Sequence, residues 1–258
     1  MVDFHTHILP EIDDGAKNIK ESITLLEEAK EAGFEKVILT SHYIEEYYET
    51  NVEKRKEITN EVCNFLKKKE NNVSMYLGNE IFLTDNLVNL LKNQKASTIN
   101  DSRYILFELP FNSKPLNLEN MIYDILKEEF IPVLAHPERY SFVKKNPNVI
   151  YDLIDYGVLM QCNFGSFIGK YGKAAQIIMK KMLENNMVHF LGSDVHRTKS
   201  IYKQIPKILN GIIKLIGEEQ TRRITTINPE IVLKNEKLEI KEPKQIRLSW
   251  IEKLKIKE

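Results

Sequence analysis

Short apolar runs alternate with longer amphipathic segments along most of the chain. Residues 2–5 are a β-prone run, and 20–32 carries Ile23, Leu26 and Ala29 near helical spacing with Gly33 behind them as a stop signal. The exchange then repeats. Strands are predicted at 37–39, 73–77, 104–107, 132–135, 158–162 and 188–191, and helices at 52–69, 84–91, 118–129, 148–156 and 173–185, with further helices beyond. Seven strands, most separated by helices, predict a parallel α/β architecture. The length of 258 residues suits a barrel of alternating strands and helices forming one domain.

The residues at the C-terminal end of each apolar run are more informative than the runs themselves. The strands end in turn on His5-Thr6-His7, Ser41-His42, Gly78-Asn79-Glu80, Phe107-Glu108, Ala135-His136 and Ser193-Asp194-Val195-His196. Only the sixth strand lacks a strong ligand at its end, delivering Gln161 and Asn163. In a barrel the C-terminal strand ends converge on one face. Imidazoles and carboxylates gathered there suit zinc, manganese or iron better than magnesium or calcium alone. His5 and His7, two apart, point to one side of an extended strand, and Asp13 or Asp14 in the next loop adds a carboxylate. A single strand-end histidine is usually a hydrogen-bonded structural residue, but five of the six histidines occupy such ends, which chance does not readily produce. His189, inside the last predicted strand, reads as structural.

Composition narrows the class without naming the chemistry. Lys+Arg and Asp+Glu both number 37, so no basic field recruits nucleic acid. Two cysteines, Cys63 and Cys162, make no disulfide framework and point to a reducing compartment. Neither is followed six positions on by arginine (Lys69 and Ile168 stand there), so a cysteine-based phosphatase is excluded and both read as buried structural residues. No secretory leader pattern and no apolar stretch of membrane-spanning length is present, so a cytoplasmic protein is expected. Tyr43, Tyr47 and Tyr48 read equally as mouth-lining aromatics or as packed residues of a polar loop. Gly165, Gly169 and Gly172 mark a flexible loop near the site with no nucleotide-binding pattern. From 235 to 258 the chain is lysine-rich. Leu248, Trp250, Ile251, Leu254 and Ile256 could form one amphipathic face there, for a membrane surface or for docking on the barrel, and docking is the simpler expectation.

The residues also carry a family resemblance. Asp3-Phe4-His5-Thr6-His7-Ile8-Leu9-Pro10 followed by Asp13-Asp14-Gly15 resembles the opening of the PHP (polymerase and histidinol phosphatase) superfamily. Ser41-His42, Gly78-Asn79-Glu80-Ile81, Asn100-Asp101-Ser102-Arg103-Tyr104, Ala135-His136-Pro137-Glu138-Arg139-Tyr140 and Ser193-Asp194-Val195-His196 then occur in order. Together they resemble the manganese-dependent protein-tyrosine phosphatases of Gram-positive capsule and exopolysaccharide operons (CpsB/CapC-like), from Met1 to about Pro229. The resemblance implies a distorted (β/α)7 TIM-like barrel over 1–234 and a docked or flexible extension over 235–258. It implies three divalent ions, manganese with iron or zinc as alternatives, on His5, His7, Asp14, His42, Glu80, Glu108, His136, Asp194 and His196. The choice of Asp14 over Asp13 and the bridging role of Glu80 rest on the resemblance.

Arg139 matches an arginine that holds the phosphate in the family, a task that suits a planar two-donor fork. A second arginine, found in some members beyond the last histidine, has no clean counterpart; Arg197 and Lys199 are the candidates. The implied substrate is the phosphotyrosine tail of a bacterial tyrosine kinase, which would also recruit the enzyme to the inner face of the membrane. The resemblance leaves a homo-oligomer open. Two other readings compete: a small-molecule phosphatase such as histidinol-phosphate phosphatase, which shares the metal logic, and a regulatory PHP module with a degenerate site, against which the near-complete ligand set argues.

Overall fold

The computed structural model describes residues 1–69 and 71–257. Nine strands are present among them: β1 Val2–Thr6, β2 Lys36–Leu39, β3 His42–Tyr43, β4 Ser74–Leu77, β5 Glu80–Phe82, β6 Tyr104–Glu108, β7 Ile131–Ala135, β8 Leu159–Asn163 and β9 Phe190–Gly192. They pair in parallel throughout, in the orders β1-β2-β4 and β3-β5-β6-β7-β8-β9. Helices Ile19–Glu31, Val52–Lys68, Leu118–Lys127, Val149–Asp155 and Lys173–Glu184 fill the crossovers. This is a mixed α/β fold built on a curled parallel sheet.

Two differences from the sequence expectation have local causes. The second and third expected strands are each followed by a short further strand that the sequence did not predict. After Leu39 and Leu77 the chain kinks at Thr40-Ser41 and Gly78-Asn79 before pairing resumes at His42 and Glu80. The buried Arg55 guanidinium donates to Gly78 O at 2.6 Å and to Ser97 Oγ at 2.8 Å, and Asn79 Nδ2 donates to Ser41 O at 2.8 Å, so the displaced backbone groups are satisfied. The last strand also begins later than expected, at Phe190. Met160 N donates to the His189 ring at 2.9 Å instead of to a ladder carbonyl. His189 is buried beside the strand, and burial lowers its pKa to about 3, which keeps the ring neutral as a structural residue should be.

One face of the sheet carries Phe4, Ile38, Tyr104, Leu106, Val133, Leu159 and Phe190 in a compact cluster, with Phe4 stacked on Phe190 at 4.0 Å. The opposite face carries the larger core under the helices. Side chains alternate along a strand, so the face that holds Tyr104 and Leu106 continues to Glu108, and the face that holds Leu159 continues to Gln161 and Asn163. The apolar plug thus gives way to a polar floor at the C-terminal strand ends. β1 meets the end of β9 there: Asp194 N donates to His5 O at 2.8 Å and His7 N to Val195 O at 3.0 Å. A β-carbon on Gly192 would stand 2.5 Å from that of His5, so only glycine admits this approach.

The chain beyond residue 234 runs back over the body. Tyr104 donates its hydroxyl to Glu236 O at 2.7 Å, and Asn148 bonds both the amide and the carbonyl of Ile246. The helix Trp250–Lys257 lies on Lys173–Glu184, joined by a Lys181–Glu252 pair at 3.2 Å. The expected single apolar face is divided: Leu248 and Ile256 pack on the core, while Trp250, Ile251 and Leu254 are exposed. Among the described residues no helix is long and apolar enough to cross a membrane. Both cysteines are free; Cys162 is buried as expected, whereas Cys63 is only partly so.

Candidate metal centre

Every strand end singled out in the sequence contributes to one cluster. His5 lies on β1 and His7 just beyond it, His42 opens β3, Glu80 opens β5 and Glu108 closes β6; His136 follows β7, and Asp194 and His196 follow β9. The two strand breaks serve this convergence, since they turn His42 and Glu80 inward at adjacent, hydrogen-bonded positions of β3 and β5. His136 (φ 36°) and Asp194 (φ 51°) adopt the left-handed backbone region that non-glycine residues avoid. Such conformations persist where surrounding contacts over-determine them, commonly at functional sites.

Glu80 is the hub. Its Oε2 lies 3.1 Å from His5 Nε2, 3.3 Å from His7 Nε2 and 3.2 Å from His42 Nδ1, and its Oε1 lies 2.9 Å from His136 Nε2. Ligand-type atoms fall into three overlapping groups, each within 4.8 Å: His5, His7 and Glu80; His42, Glu80 and Glu108; and His7, Asp14, His42 and His196. Asp194 Oδ1 borders the first and third, at 3.6 Å from His7 and 3.5 Å from His196. All nine expected ligands are therefore together.

The chemistry of this donor set suits cations. His5 Nδ1 faces Gln161 Oε1 and His7 Nδ1 faces Asp13 Oδ2, each at 2.8 Å, so both rings donate from Nδ1 and turn Nε2 inward, where it can hold a proton or a metal ion. Those two Nε2 atoms are 3.0 Å apart and aim at the same Glu80 oxygen. Buried nitrogens His42 Nδ1 and His136 Nδ1 have no hydrogen-bond partner. A cluster of imidazole nitrogens and carboxylate oxygens of this kind fits divalent metal ions. Burial alone would push the His5, His7 and His42 pKa values down, but neighbouring carboxylates outweigh it and hold them up: Glu80 and Asp194 for His5, Asp13 and Glu80 for His7, Glu80 and Glu108 for His42. Burial would raise the Glu80 and Asp194 carboxyls, yet the surrounding imidazoles hold both below the usual range.

The structure separates the two adjacent aspartates. Asp13 is committed to His7 Nδ1, His42 N and Gly15 N, whereas Asp14 Oδ1 looks into the cluster, 3.3 Å from His196 and 3.6 Å from His42. Asp13, Gln161 and Asn163 are orienting residues whose roles sequence reasoning missed; Asn163 Nδ2 donates to Asp194 Oδ2 at 2.7 Å. The one available signal was the sixth strand, whose end was polar without being a good ligand.

A cavity of about 430 Å³ opens over the cluster, walled by Ile44, Tyr48, Phe111, Tyr171 and Ser200. Arg139 reaches into it, bonded to Asp194 Oδ2 at 2.8 Å and held between the rings of Phe111 at 4.6 Å and Tyr171 at 4.3 Å. Arg197 also borders the cavity, but its Nη1 donates to the carbonyls of Asp14, Gly15 and His196. It ties down the loop that carries Asp14. Lys199, the other candidate, is not a wall residue, and its amide is bonded to Glu28. Of the three tyrosines, Tyr48 lines the mouth and stacks near His42, Tyr43 is buried and Tyr47 is exposed.

Residues 1–234 match the family model described as capsular polysaccharide synthesis, CpsB/CapC. The CapC protein of Staphylococcus aureus is 33% identical over 243 residues, covering 88% of this chain and 95% of the relative. The tyrosine-protein phosphatase YwqE of Bacillus subtilis is 30% identical over 247 residues, covering 96% and 97%. Among solved structures, work on YwqE from Bacillus subtilis and CpsB from Streptococcus pneumoniae, described as metal-dependent tyrosine phosphatases, gives a match of TM-score 0.91 at 30% identity, covering 96% of this chain and 100% of that one.

Proposed function

This chain belongs to the CpsB/CapC family of capsular polysaccharide synthesis, and from that premise we propose that it is a metal-dependent protein-tyrosine phosphatase. Its substrate in this reading is the phosphotyrosine tail of a bacterial tyrosine kinase that controls capsular and extracellular polysaccharide synthesis. The observation that carries the reading is the convergence of nine histidine and carboxylate ligands beneath an arginine held in the wall of one open cavity.

His5, His7, Asp14, His42, Glu80, Glu108, His136, Asp194 and His196 hold the ions in this reading. The three overlapping ligand groups support a count of three, and the mixed nitrogen and oxygen donors suit manganese, with iron or zinc as alternatives. Bound divalent ions supply Lewis acidity, which acidifies water and offsets phosphoryl charge. The chain's own residues do the rest. Arg139 donates to phosphoryl oxygens from a guanidinium whose orientation is fixed by Asp194 and two aromatic rings. Asp13 and Gln161 hold the His7 and His5 rings in one tautomer, and Arg197 holds the Asp14 loop. Tyr48 and the half-exposed Phe111 offer apolar area beside the cavity for an aryl ester. A tyrosyl phenolate is a fairly good leaving group, so the absence of an evident acid among these residues is no obstacle.

We read the curled sheet as a distorted barrel with seven staves, counting β2 with β3 and β4 with β5 as single interrupted staves; the two hydrogen bonds between β1 and the end of β9 support closure. The phosphatase unit is 1–234, and 235–258 is an extension docked on it. The protein works in the cytoplasm and reaches the inner face of the membrane through its kinase partner. Purified protein loaded with manganese should hydrolyse a phosphotyrosine peptide far faster than histidinol phosphate. Activity confined to the second substrate would replace this reading with a small-molecule phosphatase, and hydrolysis of neither would favour a regulatory module.

A further inference from the structure

Three cationic side chains line the cavity: Arg139, Lys170 and Arg197. Two of them have protein acceptors already. Arg139 is paired with Asp194, and Arg197 donates to three carbonyls of its own neighbourhood. Among the described residues no carboxylate or carbonyl is paired with the Lys170 ammonium, which lies 5.5 Å from the Tyr171 ring centre.

The segment that carries Lys170 is firmly built. It follows the short helix Phe164–Phe167, and its turns close through Lys170 N to Gly165 O and Gly172 N to Gly169 O, both at 3.0 Å. Glu138, completely buried, accepts from Asn163 N at 3.0 Å and Ser166 Oγ at 2.6 Å, which locks the start of this segment to the backbone that bears Arg139. The stem of Lys170 lies across Gly165. A β-carbon there would meet Lys170 Cδ at 3.0 Å, Tyr171 Cε2 at 3.1 Å and Lys170 Cβ at 3.3 Å. Tyr171 in turn is one of the two rings that hold Arg139. The backbone that bears the exposed Lys170 and the backbone that bears the paired Arg139 therefore share a common frame on one wall.

We propose that Lys170 is the second phosphoryl-binding cation of this site, donating from Nζ to a phosphate oxygen of the substrate, with Gly165 as the positioning residue that lets its stem lie flat. The assignment rests on the phosphatase reading above, and it adds a cation with no protein acceptor of its own among the described residues, whereas Arg197 Nη1 already donates to three carbonyls. An ammonium suits the task as a compact charge beside the directional fork of Arg139.

Calorimetric titration of the manganese-loaded protein with inorganic phosphate, together with kcat/KM on p-nitrophenyl phosphate and on a phosphotyrosine peptide, tests the proposal. Lys170→Gln should lower phosphate affinity and both kcat/KM values about tenfold, the size of a partly exposed charged hydrogen bond. Lys170→Arg should restore most of the loss, Gly165→Ala should reproduce part of it, and the exposed Lys173→Gln should change nothing. Wild-type phosphate affinity in Lys170→Gln would overturn the assignment, as would a defect confined to the peptide, which would place Lys170 against polypeptide rather than phosphate. If the wild-type protein hydrolysed no ester, the phosphatase reading would fall, while the phosphate titration would still decide the role of Lys170.

Discussion

His5 Nε2 and His7 Nε2 face each other at 3.0 Å while each ring donates from Nδ1, one to Gln161 and the other to Asp13. Two unprotonated nitrogens in that position would repel, two protonated ones would too, and burial denies them water. A shared or neighbouring cation would remove the conflict, so ion binding is expected to stabilise the fold.

Removal of metal should therefore destabilise the protein as well as silence it. Free ion at about 100 times its Kd contributes about 2.7 kcal/mol, or about 5–10 °C in Tm for a chain of this size. Thermal melts before and after chelation, followed by manganese repletion, read this directly. An unchanged Tm together with unchanged hydrolysis would contradict the metal centre.

The orienting residues give a graded series. Asp13→Asn weakens the acceptor that fixes the His7 tautomer, and Gln161→Leu removes the one that fixes His5. Each should cost about 10–100-fold in metal affinity or activity. Glu80→Gln, at the hub, should cost more than either. Metal content by elemental analysis and affinity by competition with a chelator measure the order, and equal effects at all three positions would argue against the hub.

Arg139→Lys keeps the charge but loses the fork and the stacking on Phe111 and Tyr171. A fall in kcat/KM of about a hundredfold is expected, in line with loss of a charged donor at a phosphoryl group. Phe111→Ala, which frees one face of the guanidinium, should fall between wild type and Arg139→Lys. Steady-state kinetics on an aryl phosphate with saturating metal make the comparison.

His189 sets part of the acid limb of stability. Burial lowers its pKa to about 3 from an ordinary value of 6.5, so the folded protein holds it neutral. Its contribution is complete above pH 6.5 and is lost as pH falls toward 3, because the unfolded chain takes up the proton first. Denaturant unfolding across that range should show wild type losing stability more steeply than His189→Gln. The difference between the two proteins isolates this group from metal loss, and parallel curves would refute the assignment.

The sequence by itself determined the rhythm of strands and helices and the chemistry at the strand ends. Apolar runs that finish in His5, His42, Glu80, Glu108, His136 and Asp194 are local features, and a parallel curled sheet converts them into one cluster without further information. It did not determine how that cluster is held. Asp13 and Asp14 are neighbours of the same type, yet one binds His7 and the amide of His42 while the other faces His196, 182 residues away in the chain. Arg197 is a phosphate candidate by position, and only the path of the Asp14 loop brings three carbonyls to its Nη1. Lys170 and Tyr171 sat in a glycine-marked loop with no motif of their own. Buried Glu138 brought that loop against Arg139. Residue type and strand position are written locally, whereas a hydrogen bond's choice among several nearby acceptors depends on packing between segments distant in sequence, and that choice belongs to the tertiary structure.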